Sequence, residues 1–463
     1  MSSLDTETGP ELYVVAPGLC KNKGAAAASA AEDEAASSAG SSSEAYVNTE
    51  DSKLGMLYTA VARHLLARTA AANSTAGAEN DPSPNENTED EVEPAGGRPR
   101  ARWSHKRKLV GRKWDLMLSE AQGQSIPWTK ISGLASQRAS GSARPPLLNF
   151  ARGFRAMCRK SMLVTTLRRY GRDTPEARVA EWFPDSYLFY PAKPDRSERE
   201  QFLAAYEARA AAEPDGKNVW ILKPSDGGKG EGIVIKSDCS EILEFIDTRP
   251  EGSIAWVVST YLERPLLLPG RRKFDWRLWV LLSYDYSISV YNEGVLRTCS
   301  VPYDLSDLSD EFAHLSNHCI QTKSDNYGEF EATNELFYAG WRDVVGTEVL
   351  DGQLIPQAHH IIRHTLLSVR DSLETEPEYA GFAAFNVFGF DLMVDDNNKV
   401  WLIEVNSSPA VADELNTKLA ADLVAKEIDP YFEVAGPCAA GAANTTAVGL
   451  EGNGWETIFD ART

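Results

Sequence analysis

The 463-residue chain lacks the features that mark membrane, secreted and zinc-binding proteins. No apolar run approaches the roughly 20 residues that a membrane span needs. The N-terminus has no basic-then-apolar signal pattern. The six cysteines include no CxxC pair, which argues against a zinc ribbon or a disulfide framework. We therefore expect a cytoplasmic protein with reduced thiols and no membrane partner.

Positive charge is scarce overall but concentrated in one block. The net charge of −20 argues against nucleic acid as a partner. Residues 98–172 nevertheless contain 18 Lys and Arg against only Asp115 and Glu120. Such a block attracts a polyanion, forms a solvated basic face, or serves as a nuclear-localisation-like run at 105–108. Charge alone leaves these alternatives open.

The most informative stretch is FNVFGFDLMVDDNNKVWLIEVNSSP at residues 385–409, where two hydrophobic runs flank a turn-prone cluster at 395–398. This pattern predicts a β-hairpin. With the two asparagines of the cluster as the loop, Asp391 lies opposite Glu404. Asn406 then shares the face of Glu404, because side chains alternate along a strand.

This arrangement predicts a metal–nucleotide site. Directly opposed side chains sit roughly 5 Å apart, and two bare carboxylates at that distance repel by about 3 kcal/mol at an effective dielectric near 20. A hard cation such as Mg²⁺ compensates, since it takes carboxylate and amide oxygens. Asp391, Glu404 and Asn406 are therefore the predicted metal ligands. The alternatives are a wet face, a shared proton, or a one-residue slip in register that separates the two acids.

A glycine-rich loop, SDGGKGEG, follows Lys223 at the end of a predicted strand. Glycines let backbone N–H groups turn toward phosphate oxygens, and lysines such as Lys229 neutralise them. The loop matches neither the Walker A pattern nor the GxGxxG spacing. Alone, it is a weak signal of phosphate binding, since many glycine-rich hairpin tips are only turns.

A second charged pattern lies in RKFDWRLWVLL, where Lys273, Asp275 and Arg277 alternate and therefore share one strand face. A face ordered cation–anion–cation suits a phosphate chain together with an acidic substrate. The alternative is a solvated edge strand. Arg297, at the end of the next predicted strand, is a further candidate for anion contact. His314 lies in a predicted loop, where single histidines are more often structural than catalytic.

The remaining pattern predicts a mixed α and β protein with two low-complexity insertions. The insertions, near 21–46 and 73–100, have little to bury and are predicted to be disordered. Periodicity predicts strands at 11–15, 219–222, 233–235, 255–262, 274–283 and 288–297, and helices at 54–72, 239–246 and 356–373.

These motifs resemble the tubulin–tyrosine ligase family, the tubulin-ligase-like branch of the ATP-grasp superfamily. The resemblance covers roughly residues 103–432 and is carried by KPSDGGKGEGI, STYLERPLLL, RKFDWRLWVLL, YNEGVLRT, HLSNHCIQ, NELF and FGFDLMV with VWLIEVNSSPA. WDLMLSE, MCRKSML and EWFPDSYLFYP extend it upstream. The match is closer to the tyrosine ligase than to the glutamylating or glycylating relatives.

The resemblance implies an α+β or α/β chain with ATP-grasp-like central and C-terminal domains behind a small α/β N-terminal domain. We expect an N-terminal tubulin-docking domain at 1–150 and a central domain at 151–260. A C-terminal domain at 261–436 and a flexible tail at 437–463 would follow.

The resemblance also implies residue roles. Arg277, Arg297 and Asn317 would face the acceptor carboxylate and the γ-phosphate as catalytic residues. The implied ATP contacts are Lys160, Lys223, Lys229, Gly230, Gly232, Thr260, Tyr261, Leu262, Lys273, Asp275, His314, Ser316 and Ile403. One departure concerns the adenine hinge, where the family usually carries Gln-Lys and this chain has Ser259 and Thr260.

The implied activity is ATP- and Mg²⁺-dependent addition of tyrosine to the C-terminal glutamate of detyrosinated α-tubulin, through an acyl phosphate. We expect a monomer that associates with the cytoskeleton and whose basic block meets the acidic tubulin tail. The alternatives are a tubulin side-chain polyglutamylase or glycylase, a catalytically idle tubulin-binding protein, and an ATP-grasp ligase for a small molecule.

Overall fold

The structure is a computed structural model that describes part of the chain. At residues 12–15 and 101–104 it describes only the backbone. The described residues are 12–15, 57–65, 67, 101–104, 116–118, 145–212, 216–250, 254–373, 382–433 and 452–462. Both predicted insertions and most of the basic block lie outside them. Two compact units result: residues 1–151 with 375–386 and 408–455, and residues 152–374 with 387–407 and 456–463.

The first unit contains a five-stranded parallel sheet in the order β13-β4-β3-β1-β2. Its strands are β1 (Leu12–Val15), β2 (Ala101–Ser104), β3 (Leu116–Met117), β4 (Leu147–Leu148) and β13 (Ala383–Ala384). Residues 57–65 are helical and bury Leu57, Val61 and Leu65, which repeat at the helical spacing of four. The helices Asp413–Leu423 and Asp429–Glu433 belong to the same unit.

The second unit contains a four-stranded antiparallel sheet in the order β5-β8-β6-β7. Its strands are β5 (Ser186–Phe189), β6 (Trp220–Pro224), β7 (Val234–Lys236) and β8 (Trp256–Thr260). The helices Arg199–Ala212 and Cys239–Asp247 cover one face, where Phe202, Trp220 and Ile242 share a buried cluster. All of these strands fall within the range predicted as the central domain.

A larger sheet, which belongs to the second unit apart from Asn386 and Trp455, is built around one fully buried strand. Its strands are β9 (Arg272–Leu282), β10 (Ile288–Tyr291), β11 (Val295–Pro302), β12 (Glu335–Phe337), β14 (Asn386–Val394), β15 (Val400–Asn406) and β16 (Trp455–Phe459). β9 is buried along its whole length and pairs with β10, β11 and β14. The face that carries Lys273, Asp275 and Arg277 is therefore not a solvated edge.

Two local predictions are wrong in this sheet. The single strand predicted at 288–297 is two strands, β10 and β11, with a break that includes Gly294. A Cβ at Gly294 would lie 2.7 Å from Trp276 Nε1 and 2.8 Å from Tyr338 Oη, so only glycine lets the chain pass this close to the aromatic cluster. The predicted flexible tail contains β16, which joins the sheet beside β10.

The helices of the second unit complete the α+β class that the sequence predicts. They are Arg155–Cys158, Lys160–Asp173, Arg199–Ala212, Cys239–Asp247, Glu311–His314, His318–Gln321, Tyr338–Val345, Thr347–Val349, Ile355–Ser368 and Arg370–Leu373, with a π-helical turn at Leu350–Leu354. Within the described residues, none of the helices is both long enough and apolar enough to cross a membrane.

Candidate active site

The hairpin of β14 and β15 turns differently from the prediction. The backbone N–H of Asp395 donates to the carbonyl of Lys399 at 3.0 Å, and Asn398 has a φ of 59°. The loop therefore has three residues, a length at which a left-handed residue commonly follows a type I turn. The predicted two-residue loop, with Asp396 facing Lys399, is wrong.

A β-bulge restores the predicted pairing. Leu392 opposes Leu402, whereas the next pair is Asp391 with Glu404, so Ile403 is an extra residue on β15. Bulges are common beside active sites, where they redirect a side chain. Here Ile403 and Glu404, which are neighbours in sequence, both line one cavity. The pairing of Asp391 with Glu404 is confirmed.

The three predicted metal ligands lie together. Asn406 Nδ2 is 3.2 Å from Asp391 Oδ2 and 3.4 Å from Glu404 Oε1. The other carboxylate oxygen of Glu404 is 3.1 Å from Lys160 Nζ. Within the described part of the chain, no group of three or more His, Cys, Asp and Glu side chains forms a candidate metal centre. The metal role of this pair of acids and one amide stays a prediction.

Asp391 is neutralised by two arginines. Arg277 binds both of its carboxylate oxygens, and Arg297 Nη2 donates to Oδ2 at 2.9 Å. Burial raises the pKa of Asp391, but the attraction of the two guanidinium groups outweighs burial and holds that pKa well below its ordinary value. The repulsion that motivated a bound cation is therefore already offset in part by protein groups.

Asp275 is the second anion of this network. It accepts hydrogen bonds from Arg297 and from the hydroxyl of Ser316. Arg297 therefore bridges Asp275 and Asp391. Burial lowers the pKa of Arg297, but the attraction of the two carboxylates outweighs burial and raises that pKa above its ordinary value. One hydrogen-bonded group thus contains five predicted site residues from four separate motifs: Asp275, Arg277, Arg297, Ser316 and Asp391.

One cavity of about 520 Å³, within the second unit, collects most of the predicted site residues. Those that line it are Lys160, Lys223, Lys229, Gly230, Thr260, Tyr261, Leu262, Lys273, Asp275, Arg297, His314, Ser316, Asn317, Asp391, Ile403 and Glu404. Gly232, Arg277 and Asn406 are not part of the lining. Arg277 and Asn406 nevertheless bond to lining carboxylates.

Two lysines lie in the cavity wall, where Lys273 is buried and Lys223 is half-buried. Burial disfavours the charged ammonium and lowers the pKa of Lys223 and of Lys273 to about 8. Lys273 donates to Tyr261 Oη at 2.7 Å and to the carbonyl of His314 at 2.8 Å. An anionic phosphate chain in the cavity would stabilise the charged form of both lysines.

His314 lines the cavity, but both of its ring nitrogens are hydrogen-bonded to other protein groups. Its Nδ1 lies 2.9 Å from Tyr261 Oη, and its Nε2 lies 2.9 Å from the carbonyl of Asp307. Burial lowers the pKa of His314, so the ring is neutral at neutral pH. This arrangement matches the structural role that single histidines usually have.

The glycine-rich loop packs against the segment that carries Asn317. Gly230 has a φ of 78°, and a Cβ there would lie 2.9 Å from Asn317 Oδ1 and 2.5 Å from Ile320 Cδ1. Neither the backbone conformation nor the available space admits a larger residue. Two regions about 90 residues apart in sequence are thereby brought together at the cavity.

The predicted adenine hinge lies where β8 ends. The N–H groups of Thr260 and Tyr261 donate to the protein carbonyls of Asp185 and Val219. A nucleotide would therefore have to use other main-chain groups of the hinge. The hydroxyls of Ser259 and Ser186 lie 2.7 Å apart, so the departure from the family's Gln-Lys pair is accommodated by a serine pair between β5 and β8.

The residues present fit a magnesium–nucleotide complex. Asp391 and Glu404 offer the carboxylate oxygens that Mg²⁺ prefers, and Asn406 would offer its amide oxygen after rotation of the amide group, since its Nδ2 now faces both acids. Lys223 and Lys273 offer positive charge to phosphates from the cavity wall. The cavity volume falls in the range of roughly 300–1,000 Å³ typical of small-molecule sites.

Sequence reasoning missed several residues of the cavity wall, among them Ser186, Arg209, Glu263 and Trp401. Arg209 and Glu263 form an ion pair at 2.7 Å, and Glu263 also accepts from the backbone N–H of Val219 at 2.9 Å. Glu263 follows the hinge directly in YLERP and so carried a detectable signal. Arg209 lies in an alanine-rich helix, and no sequence pattern there marks it as a site residue.

Comparison with known proteins gives a family match. The model of the family described as "Tubulin-tyrosine ligase family" matches residues 147–439, which is more than half of the chain.

Curated relatives match over part of their length. Tubulin glycylase 3D and tubulin glycylase 3C of Tetrahymena thermophila are each 30% identical to this chain, and each match covers 47% of this chain and 21% of the relative. The human "Probable tubulin polyglutamylase TTLL2" is 28% identical over 67% of this chain and 51% of its own length. The chain thus spans about a fifth of the Tetrahymena relatives and about half of the human one.

Proposed function

The chain belongs to the tubulin-tyrosine ligase family, and from that premise we propose that it is an ATP- and Mg²⁺-dependent ligase that joins an amino acid to tubulin. The observation that carries the proposal is the pairing of Asp391 with Glu404 in the wall of a cavity that also contains Lys223 and Lys273. Two acids and two ammonium groups in one cavity wall suit a magnesium-bound triphosphate.

The proposed chemistry has two steps. A carboxylate is a poor electrophile and must first be activated. An acceptor carboxylate on tubulin attacks the γ-phosphorus of ATP, the bond between that phosphorus and the bridging oxygen breaks, and ADP leaves. The amine of the incoming amino acid then attacks the acyl phosphate, forms the amide and releases phosphate and a proton. No covalent enzyme nucleophile is needed, so catalysis rests on positioning and on charge neutralisation.

The residues would neutralise the phosphates, hold Mg²⁺ or attract the acceptor carboxylate. Lys223 and Lys273 would neutralise the phosphates. Asp391, Glu404 and Asn406 would hold Mg²⁺, which supplies a further positive charge to the phosphate oxygens when bound. The acceptor carboxylate would be drawn to the arginines that now bind Asp391, so substrate and Asp391 would compete for the same guanidinium groups.

The identity of the added amino acid is the finer part of the proposal. The motif resemblance implies L-tyrosine, added to the C-terminal glutamate of α-tubulin. The named relatives are tubulin glycylases and a probable polyglutamylase, so glycine and glutamate form a second candidate pair. Addition of these amino acids to a glutamate side chain would use the same activation chemistry.

The proposed partner is the acidic tail of tubulin, which would place the protein on the cytoskeleton. The support is the basic block at 98–172 on a chain of net charge −20. Attraction between a basic block and an acidic tail is screened by salt. Tubulin binding should therefore weaken markedly between about 50 and 300 mM salt, roughly a twofold change in screening length, and binding that ignores salt would leave the block without this role.

The test is an incorporation assay. Detyrosinated tubulin, ATP and Mg²⁺ are incubated with the purified protein and with radiolabelled tyrosine, glycine or glutamate in separate reactions. Incorporation of any one of them supports the ligase, and the labelled amino acid identifies the reaction. Absence of all three products, with tubulin still bound, would favour an idle tubulin-binding protein.

A further inference from the structure

The glycine-rich loop is held at its first half by the start of a helix. Three consecutive residues around the N-terminus of the helix Lys160–Asp173 contact three consecutive loop residues. These contacts, which we call the helix–loop clip, are Ser161 with Ser225, Arg159 with Asp226 and Lys160 with Gly227.

The innermost contact of the clip is buried. The Ser161 backbone N–H donates to Ser225 Oγ at 3.2 Å, and the two hydroxyl oxygens lie 2.7 Å apart. The backbone N–H of Lys160 also donates to the carbonyl of Ser225 at 3.3 Å. This contact fixes the point at which the chain leaves β6 and enters the loop.

The middle contact links the loop to the carboxylate pair. Lys160 Nζ donates to the carbonyl of Gly227 at 2.7 Å and lies 3.1 Å from Glu404. One ammonium group therefore ties the loop, the helix and a predicted metal ligand together. Lys160 and Gly227 both line the cavity.

The outer contact is different, because it lies away from the cavity lining. Arg159 binds both carboxylate oxygens of Asp226, the second at 2.5 Å, and the two side chains are 41% and 42% exposed. Exposed ion pairs contribute little to overall stability, typically about 0–1 kcal/mol. Loss of this pair should therefore change the loop locally and leave the fold intact.

We infer that Arg159 is a positioning residue that, through Asp226, holds the glycine-rich loop in its phosphate-binding conformation before the nucleotide arrives. The inference rests on the proposed function. The loop contains four glycines between 227 and 232 and so has a large conformational entropy to lose. A loop that is already held loses less entropy when a ligand binds, and the ligand binds more tightly.

The test uses Arg159→Gln and Asp226→Asn, singly and together, with Arg172→Gln as the control. Arg172 lies on the same helix and is 75% exposed, and its ion pair is with the adjacent Asp173. The first measurement is amide hydrogen exchange of residues 225–232 without nucleotide. We expect about twofold to fivefold faster exchange in both single variants and no change in the control.

The second measurement is the affinity for ATP with Mg²⁺, from equilibrium binding, together with kcat and KM for ATP. We expect the dissociation constant and KM to rise about twofold to fivefold with kcat unchanged, and the double variant to match the single variants. Unchanged exchange and affinity in Arg159→Gln, or additive losses in the double variant, would overturn the inference.

These readouts separate the inference from the proposed function. Hydrogen exchange needs no nucleotide, so a loosened loop in Arg159→Gln would confirm the contact even if the wild-type protein bound no ATP. That combination would overturn the proposed function, and with it the phosphate-binding role of Arg159. Tight ATP binding by the wild type with an unaltered Arg159→Gln would overturn only the inference.

Discussion

Asp391 lies opposite Glu404 only because of the β-bulge at Ile403. The three-residue turn of the hairpin sets a register that would place Asp391 opposite Ile403. The extra residue on β15 shifts the pairing by one and brings the carboxylate of Glu404 there instead. The central feature of the candidate site therefore depends on a local irregularity of the sheet.

The first prediction concerns Glu404→Gln. The substitution keeps the size of the side chain but removes the charge that faces Lys160 and, in the proposal, Mg²⁺. We expect ligation to fall at least about 100-fold, with tubulin binding retained. Glu244→Gln, on an exposed helix position, is the matched control. Ligation within a few-fold of wild type in Glu404→Gln would count against the metal assignment.

The second prediction concerns pH. Lys223 and Lys273 have pKa values lowered to about 8, so both are largely protonated below that pH and lose their charge above it. Affinity for ATP should therefore be nearly constant between about pH 7 and 7.5 and decline as pH rises through about 8. Binding titrations from neutral pH to about pH 9.5 measure this decline.

The matched variant for this prediction is Lys223→Arg. Arginine stays protonated across the whole range, so the decline should become shallower and reflect Lys273 alone. An unchanged slope in Lys223→Arg would show that Lys223 does not contribute charge to nucleotide binding.

The third prediction concerns Gly294→Ala. The added methyl group would lie under 3 Å from Trp276, Tyr338 and Leu278, all packed in the core of the larger sheet. Overpacking of this kind costs about 1–3 kcal/mol. Urea unfolding should show the loss, and Gly352→Ala, where nothing lies within 4 Å of the new methyl, should be close to neutral. Equal stability of both variants would contradict the packing described for β9.

The fourth prediction concerns Arg277→Met. Asp391 would then keep Arg297 and Asn406 but lose its bidentate partner inside the protein. Removal of one partner from a buried ion pair costs about 3–5 kcal/mol, and the remaining partners place this case near the lower end of that range. Chemical unfolding of the variant measures that cost.

The double variant Arg277→Met with Asp391→Leu tests the same pair. It should recover part of the stability that Arg277→Met loses, because no uncompensated charge is then buried. A double variant whose loss equals the sum of the two single losses would show that the side chains do not interact.

Much of the site was predictable from sequence because its residues lie in strands with clear alternation. The motif around Lys273, Asp275 and Arg277 placed all three on one face, and β9 carries them as expected. The pairing of Asp391 with Glu404 was also predicted. The β-bulge that produces this pairing was not predicted, because a bulge depends on how two strands pack and leaves no local signal in the sequence of either strand.

The partners of Asp391 illustrate what sequence reasoning misses. Arg277 and Arg297 lie more than 90 residues from it in the chain, and their pairing with it follows from sheet order rather than from spacing. The same limit applies to β16, which follows an alanine- and glycine-rich segment. No local sequence pattern predicts that β16 pairs with β10. Gly294 was a sequence signal for the break before β11, but the hydrophobic residues on either side of it favoured one continuous strand.

Whether the paired carboxylates of β14 and β15 hold a metal is decided by the binding of Mn²⁺, a spectroscopic substitute for Mg²⁺, measured by electron paramagnetic resonance in the presence of ATP. The wild-type protein and Glu244→Gln should immobilise Mn²⁺ together with ATP, and Glu404→Gln should do so at least about tenfold more weakly. Equal Mn²⁺ binding by the wild type and Glu404→Gln would contradict the claim that the paired carboxylates of β14 and β15 hold the metal.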